Sequence, residues 1–84
     1  MPELIHQFAD QVKGSDGVIY AVNVYGESRA DGIWEGWLEF KPLIGMGSVL
    51  RTPRETSQPN REALAYWASG LEPVYLDGAF ARAI

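Results

Sequence analysis

Wound as a helix, the N-terminal residues place Leu4, Ile5, Phe8 and Val12 within about 100° of arc. Glu3, His6, Asp10 and Lys13 take the other side, Pro2 suits a helix start and Gly14 a left-handed stop. The pattern predicts an amphipathic helix over residues 2–13. Ser15-Asp16-Gly17 is turn chemistry, and beyond it the period changes. Val18 to Tyr25 is β-branched and aromatic with no proline, which predicts a strand. Its alternating sets are Val18, Tyr20, Val22, Val24 and Ile19, Ala21, Asn23, Tyr25. Both are mainly apolar, so the strand should be central and covered in part on both faces.

Residues 26–32 are polar and end in Asp31-Gly32, a hairpin signal. The returning strand, Ile33 to Phe40, separates its faces better. Trp34, Leu38 and Phe40, with Gly36 between them, form the natural core set. Ile33, Glu35, Trp37 and Glu39 face the other way, because two unpaired glutamates are too costly to bury. Lys41 to Gly47, with Pro42, Gly45 and Gly47, reads as a connection. A third strand is expected around Ser48–Thr52, ended or confined to an edge by Pro53, followed by a polar loop at Arg54–Gln58. A second helix is expected from Pro59 to Ser69, with Ser57 or Gln58 as cap, Gly70 as stop and Ala63, Leu64, Trp67 and Leu71 as its stripe. Pro73–Leu76 fits a short fourth strand, and Asp77 would cap a last turn carrying Phe80, Ala83 and Ile84. The expected fold is α+β: one domain over residues 1–84, a two-layer sandwich of a three- to four-stranded antiparallel sheet with helices on one face. Its element order would be α-β-β-β-α-(β)-α.

Composition narrows the function. Eighty-four residues, 46% of them apolar, make one domain with a thin core, and no cysteine supplies disulfides or thiolate ligands. No apolar run approaches the ~18 residues of a membrane span, so the expected home is the cytoplasm, with no membrane partner. A net charge of −4 opposes a broad nucleic-acid surface.

Candidate chemistry is sparse. His6 is the only imidazole, and the predicted helix puts it on a polar face away from any serine cleft. Glu35 and Glu39 share a face, but four strand residues separate them by roughly 13 Å, too far to chelate one ion. Asp16 and Asp31 sit in turns without a calcium-loop spacing. Gly45-Met46-Gly47 lacks a P-loop lysine and a following helix. No catalytic residue, metal site or cofactor is therefore assigned, and the chain is expected not to be an enzyme. The predicted order α-β-β-β-α is also that of double-stranded RNA-binding domains, yet the second helix opens on Arg61 beside Glu62 rather than on a basic cluster.

Two surfaces remain. Trp37, flanked by Glu35 and Glu39, and Ile33 lie on the face opposite the core, with Tyr25 and Ile19 on the neighbouring strand. This row is either a contact surface for a protein partner or second copy, or is covered by the C-terminal segment 80–84. The segment Arg51 to Arg61 is dense in hydrogen-bonding side chains at a helix start, where anions bind but caps and turns also gather. Arg51, Arg54 and Arg61 would form a second contact there.

The run Tyr20-x-Val22, Asp31-Gly32-x-Trp34, Leu38-x-Phe40-x-Pro42, then Thr56 and Glu62-Ala63-Leu64, resembles HicB-type antitoxin domains. The resemblance implies a partial RNase-H-like sheet over residues 18–84 that binds and covers a small toxin. An added N-terminal helix, the glycine loop at 43–47 and the lack of a DNA-binding tail depart from that family. Glu62 to Trp67 through Gly70-Leu71-Glu72-Pro73 is also similar to a small bacterial protein family without an assigned activity.

Overall fold

The computed structural model describes residues 1–45 and 47–83. Its first element corrects the expected helix: Glu3–Lys13 is an extended strand, β1, paired antiparallel with β2, Ile19–Ser28. The reason lies in two irregularities. Between Leu4 and His6, and again between Gln7 and Gln11, β1 spends more residues than its partner. Each extra residue resets the in–out alternation. Ile5, Phe8 and Val12 can therefore all pack on the core although they are three and four residues apart. A helical spacing is thus satisfied by a bulged strand.

The turns at residues 14–17 and 29–32 use one device. In each, the fourth residue is glycine at positive φ (Gly17 at 86°, Gly32 at 88°), where an L side chain would be strained. Gly14 N–H donates to the Val18 carbonyl and Gly17 N–H to that of Gly14; Arg29, Ile33 and Gly32 repeat the pattern. The aspartate between takes the last amide: Asp16 Oδ1 accepts from Val18 N–H and Asp31 Oδ1 from Ile33 N–H, each at 3.0 Å. The second turn places β3, Trp34–Pro42, beside β2 in unbroken register from Tyr20↔Pro42 to Ser28↔Trp34. β2 is central, as its two apolar faces predict, but it runs three residues further than expected.

The far side of β3 is paired by two short strands, β4 (Leu50–Arg51) and β5 (Thr56–Gln58). The expected strand at 48–52 is thus mostly connection, and the expected loop at 54–58 contains a strand. Pro53 and Arg54 bulge out between them. Thr52 bridges the gap: its hydroxyl accepts from Leu38 N–H at 3.0 Å and donates to the Pro53 carbonyl at 2.8 Å. Thr52 is 2% exposed, so Thr52→Val leaves a buried amide unpaired. The substitution should cost about 1–3 kcal/mol, read from urea unfolding midpoints at constant slope.

Helix α1, Arg61–Ser69, is capped by Asn60, not by Ser57 or Gln58: Asn60 Oδ1 accepts from Ala63 N–H at 2.8 Å. Gly70 ends it as expected. The expected strand at 73–76 is the first turn of α2, Pro73–Arg82; Pro73 leads it, and Asp77 lies inside it rather than capping a later turn. Ile84 lies outside the described residues. The described residues therefore form an α+β fold with an antiparallel sheet of five strands and two helices, both after the sheet, in place of the expected α-β-β-β-α-(β)-α.

Helix and sheet share one buried cluster. Val22, Val24, Leu38 and Phe40 meet Ala68 of α1 and Leu76 and Ala79 of α2, and Phe80 stands edge-on to Phe40 at 5.2 Å. Trp34, expected in this set, is only half-buried at the end of the sheet. Gly26 and Gly36 are direct cross-strand partners, and Leu64 of α1 seats over both. A Cβ at Gly36 would lie 2.6 Å from a Leu64 methyl, and one at Gly26 would also collide with Leu64. This paired-glycine notch fixes where α1 docks.

Candidate functional site on the second sheet face

The strand alternation that sends Leu38 and Phe40 inward aims Glu35, Trp37, Glu39 and Lys41 at the opposite face. Direct pairing adds Tyr25 beside Trp37, Leu4 beside Tyr25 one strand further out, and Asn23 and Arg51 beside Glu39. Ile19 and Ala21 continue the face along β2. The structure thus brings together Tyr25, Glu35, Trp37, Glu39 and Arg51, all anticipated as contact residues. Ile33 is placed at the hairpin, half-buried, just before β3.

Trp37 is not the exposed anchor that the sequence pattern suggested; it is 3% exposed. It lies outside the helix–sheet cluster, and among the described residues of the C-terminal segment Phe80 and Ala83 pack on that cluster instead, Phe80 against Tyr20 and Phe40. Arg51 stacks on the indole with its guanidinium carbon 4.0 Å from the ring centroid, and the indole Nε1–H donates to Glu39 Oε2 at 3.0 Å. A cation–π contact and a charge-assisted hydrogen bond thus close this part of the face with side chains of the same sheet. Sequence spacing placed the ring on the correct side but carried no sign that Arg51 would cover it.

The other two anticipated cations are also engaged, and the three do not form a common patch. Arg54 and Arg29 flank Glu35 at 3.5 and 3.2 Å, while Arg61 pairs with Glu3 at 3.0 Å. Arg29 also grips Asp31 at 2.6 Å, and that hydrogen bond, with one from Ile33 N–H, holds the Asp31 carboxyl down to about 2. The segment 51–61 is therefore built of internal contacts at Arg51, Thr52, Arg54, Glu55, Asn60 and Arg61. His6, expected on a solvated helix face, is half-buried on β1 with its ring edge-on to Phe8 at 4.6 Å.

Sequence reasoning missed a second constellation. Glu55, with a side chain 7% exposed, accepts from Arg82 through both carboxylate oxygens (2.6 and 3.1 Å) and from the Tyr75 hydroxyl at 2.6 Å. Arg82 holds the Glu55 carboxyl below its usual range against the opposing effect of burial, with Tyr75 assisting. Burial first, and the Glu55 carboxylate second, push the Tyr75 phenol up to about 12. These residues tie the bulge between β4 and β5 to α2. They lie 20 and 27 residues apart, beyond the reach of local pattern.

At one end of the second face a cleft of about 420 Å³ opens between the β1–β2 turn and the segment after β3, lined by Gln11, Asp16–Ile19, Leu43 and Ile44. Leu43 N–H donates to the Ile19 carbonyl at 3.0 Å, and Ile44 is 88% exposed. No protein-family model, curated protein or solved structure matches this chain.

Proposed function

We propose that this chain is a non-enzymatic interaction module that self-associates through the second face of its sheet. In this reading the domain is a two-layer sandwich with helices on one side only. The observation that carries it is the cross-strand pair Leu4–Tyr25, next to the covered Trp37: Leu4 is 41% exposed and Tyr25 is partly exposed. An apolar row is complementary to itself, which makes a second copy the simplest occupant, and a thin core gains from such cover. The sheet edges are poor alternatives, because bulges interrupt β1 and Pro53 interrupts the other edge. Against catalysis stands the use of the displaced carboxyls, Asp31 and Glu55, in closed internal ion pairs. A HicB-like antitoxin role is the second form of this proposal; a net charge of −4 suits a small basic toxin as partner.

Sedimentation equilibrium at micromolar concentration tests the reading. The native chain should exceed its 9.3 kDa monomer mass, and Tyr25→Glu should return it to a monomer with an unchanged far-ultraviolet spectrum. A native chain that stays at the monomer mass overturns self-association.

A further inference from the structure

The cleft at the end of the second face has a charge environment unlike that of the remaining surface. Every arginine is engaged: Arg29 and Arg54 at Glu35, Arg61 at Glu3, Arg82 at Glu55, and Arg51 on Trp37. The two lysines are different. Among the described residues neither Lys13 nor Lys41 has a carboxylate within ion-pair distance, and both are exposed. Both also stand at the cleft end of the sheet. Lys13 is the direct cross-strand partner of Ile19, which lines the cleft. Lys41 is the partner of Ala21, whose other neighbour is the lining residue Gln11. Asp16 is the charged residue among those lining the cleft, its Oδ1 accepting from the Val18 amide at the turn; the lysines stand beside the lining, on the strands, rather than in it. Val18, Ile19, Leu43 and Ile44 supply the apolar wall.

We propose that this cleft binds an amphiphilic carboxylate, a medium-chain fatty anion being the simplest example. The hydrocarbon tail lies against Ile19, Leu43 and Ile44, and the carboxylate lies toward Lys13 and Lys41. The cavity volume is that of a small-molecule site, and the ligand removes exposed apolar surface from water while meeting the two free cations. This inference does not require the self-association reading.

The test is titration of the ¹⁵N-labelled chain with decanoate below its micelle concentration, with decanol and decyltrimethylammonium as controls and the solution mass followed in parallel. Decanoate should shift the amides of 16–19 and 43–44 saturably and bind more tightly than either control. Replacing both lysines (Lys13→Gln with Lys41→Gln) should weaken decanoate roughly three- to tenfold and leave decanol unchanged. The proposal is overturned if those amides do not move, if the neutral or cationic amphiphile binds as tightly, or if the double variant binds decanoate like the native chain. The amide shifts and the solution mass are separate readouts, so loss of the ligand site and loss of self-association are told apart.

Discussion

Leu64→Ala should lower the free energy of unfolding by about 2–5 kcal/mol, because a fully buried side chain leaves a void over two glycines that cannot fill it. Gly36→Ala in the native background should cost about 1–3 kcal/mol through the opposite fault, a methyl forced against Leu64. The informative quantity is their coupling. In the Leu64→Ala background the new methyl at position 36 no longer meets a Leu64 methyl and keeps only the tight Thr56 contact at 3.2 Å, so its cost should shrink by more than about 0.5 kcal/mol. Additive costs across the cycle would show that α1 is not located by the notch.

The second large effect belongs to Glu55. Arg82→Met should cost about 1–3 kcal/mol, since it leaves a carboxylate with a 7% exposed side chain partnered by Tyr75 alone; the half-exposed arginine keeps the figure below that of a fully buried pair. The pH dependence follows from the direction of the shift. Glu55 has a lower pKa folded than unfolded, so its contribution is fully present above the unfolded value of about 4.3 and is lost as pH falls through the folded value. Glu55→Gln should therefore flatten the acid limb of stability against pH, measured by urea unfolding from neutral pH downward. An acid limb of native steepness in that variant would contradict this assignment.

Much of the sheet was legible in the sequence, and the misreadings have definite causes. The alternation of β2 and β3 showed directly, because their register runs unbroken from Tyr20↔Pro42 to Ser28↔Trp34. β1 was misread because its bulges convert strand spacing into something helical. Ser15-Asp16-Gly17 carried the correcting signal, since it repeats the Asp-Gly of the second hairpin and so calls for a strand on each side. Residues 73–76, expected as a short strand, open a helix instead, because Pro73 suits a first helical position, where its missing N–H costs nothing. At the site, alternation correctly assigned Trp37 to the face away from the helices, but its cover comes from Arg51 on a two-residue strand too short to show a pattern. The Glu55–Tyr75–Arg82 contacts are long-range and specific to side-chain reach, which no periodicity encodes.

The role proposed for the second face is tested most directly by amide shifts on dilution from millimolar to micromolar concentration. The account predicts concentration-dependent shifts confined to β1, β2 and β3 around Leu4, Tyr25 and Trp37, with α1 and α2 unmoved. Shifts centred on the helices, or none at any concentration, would contradict it.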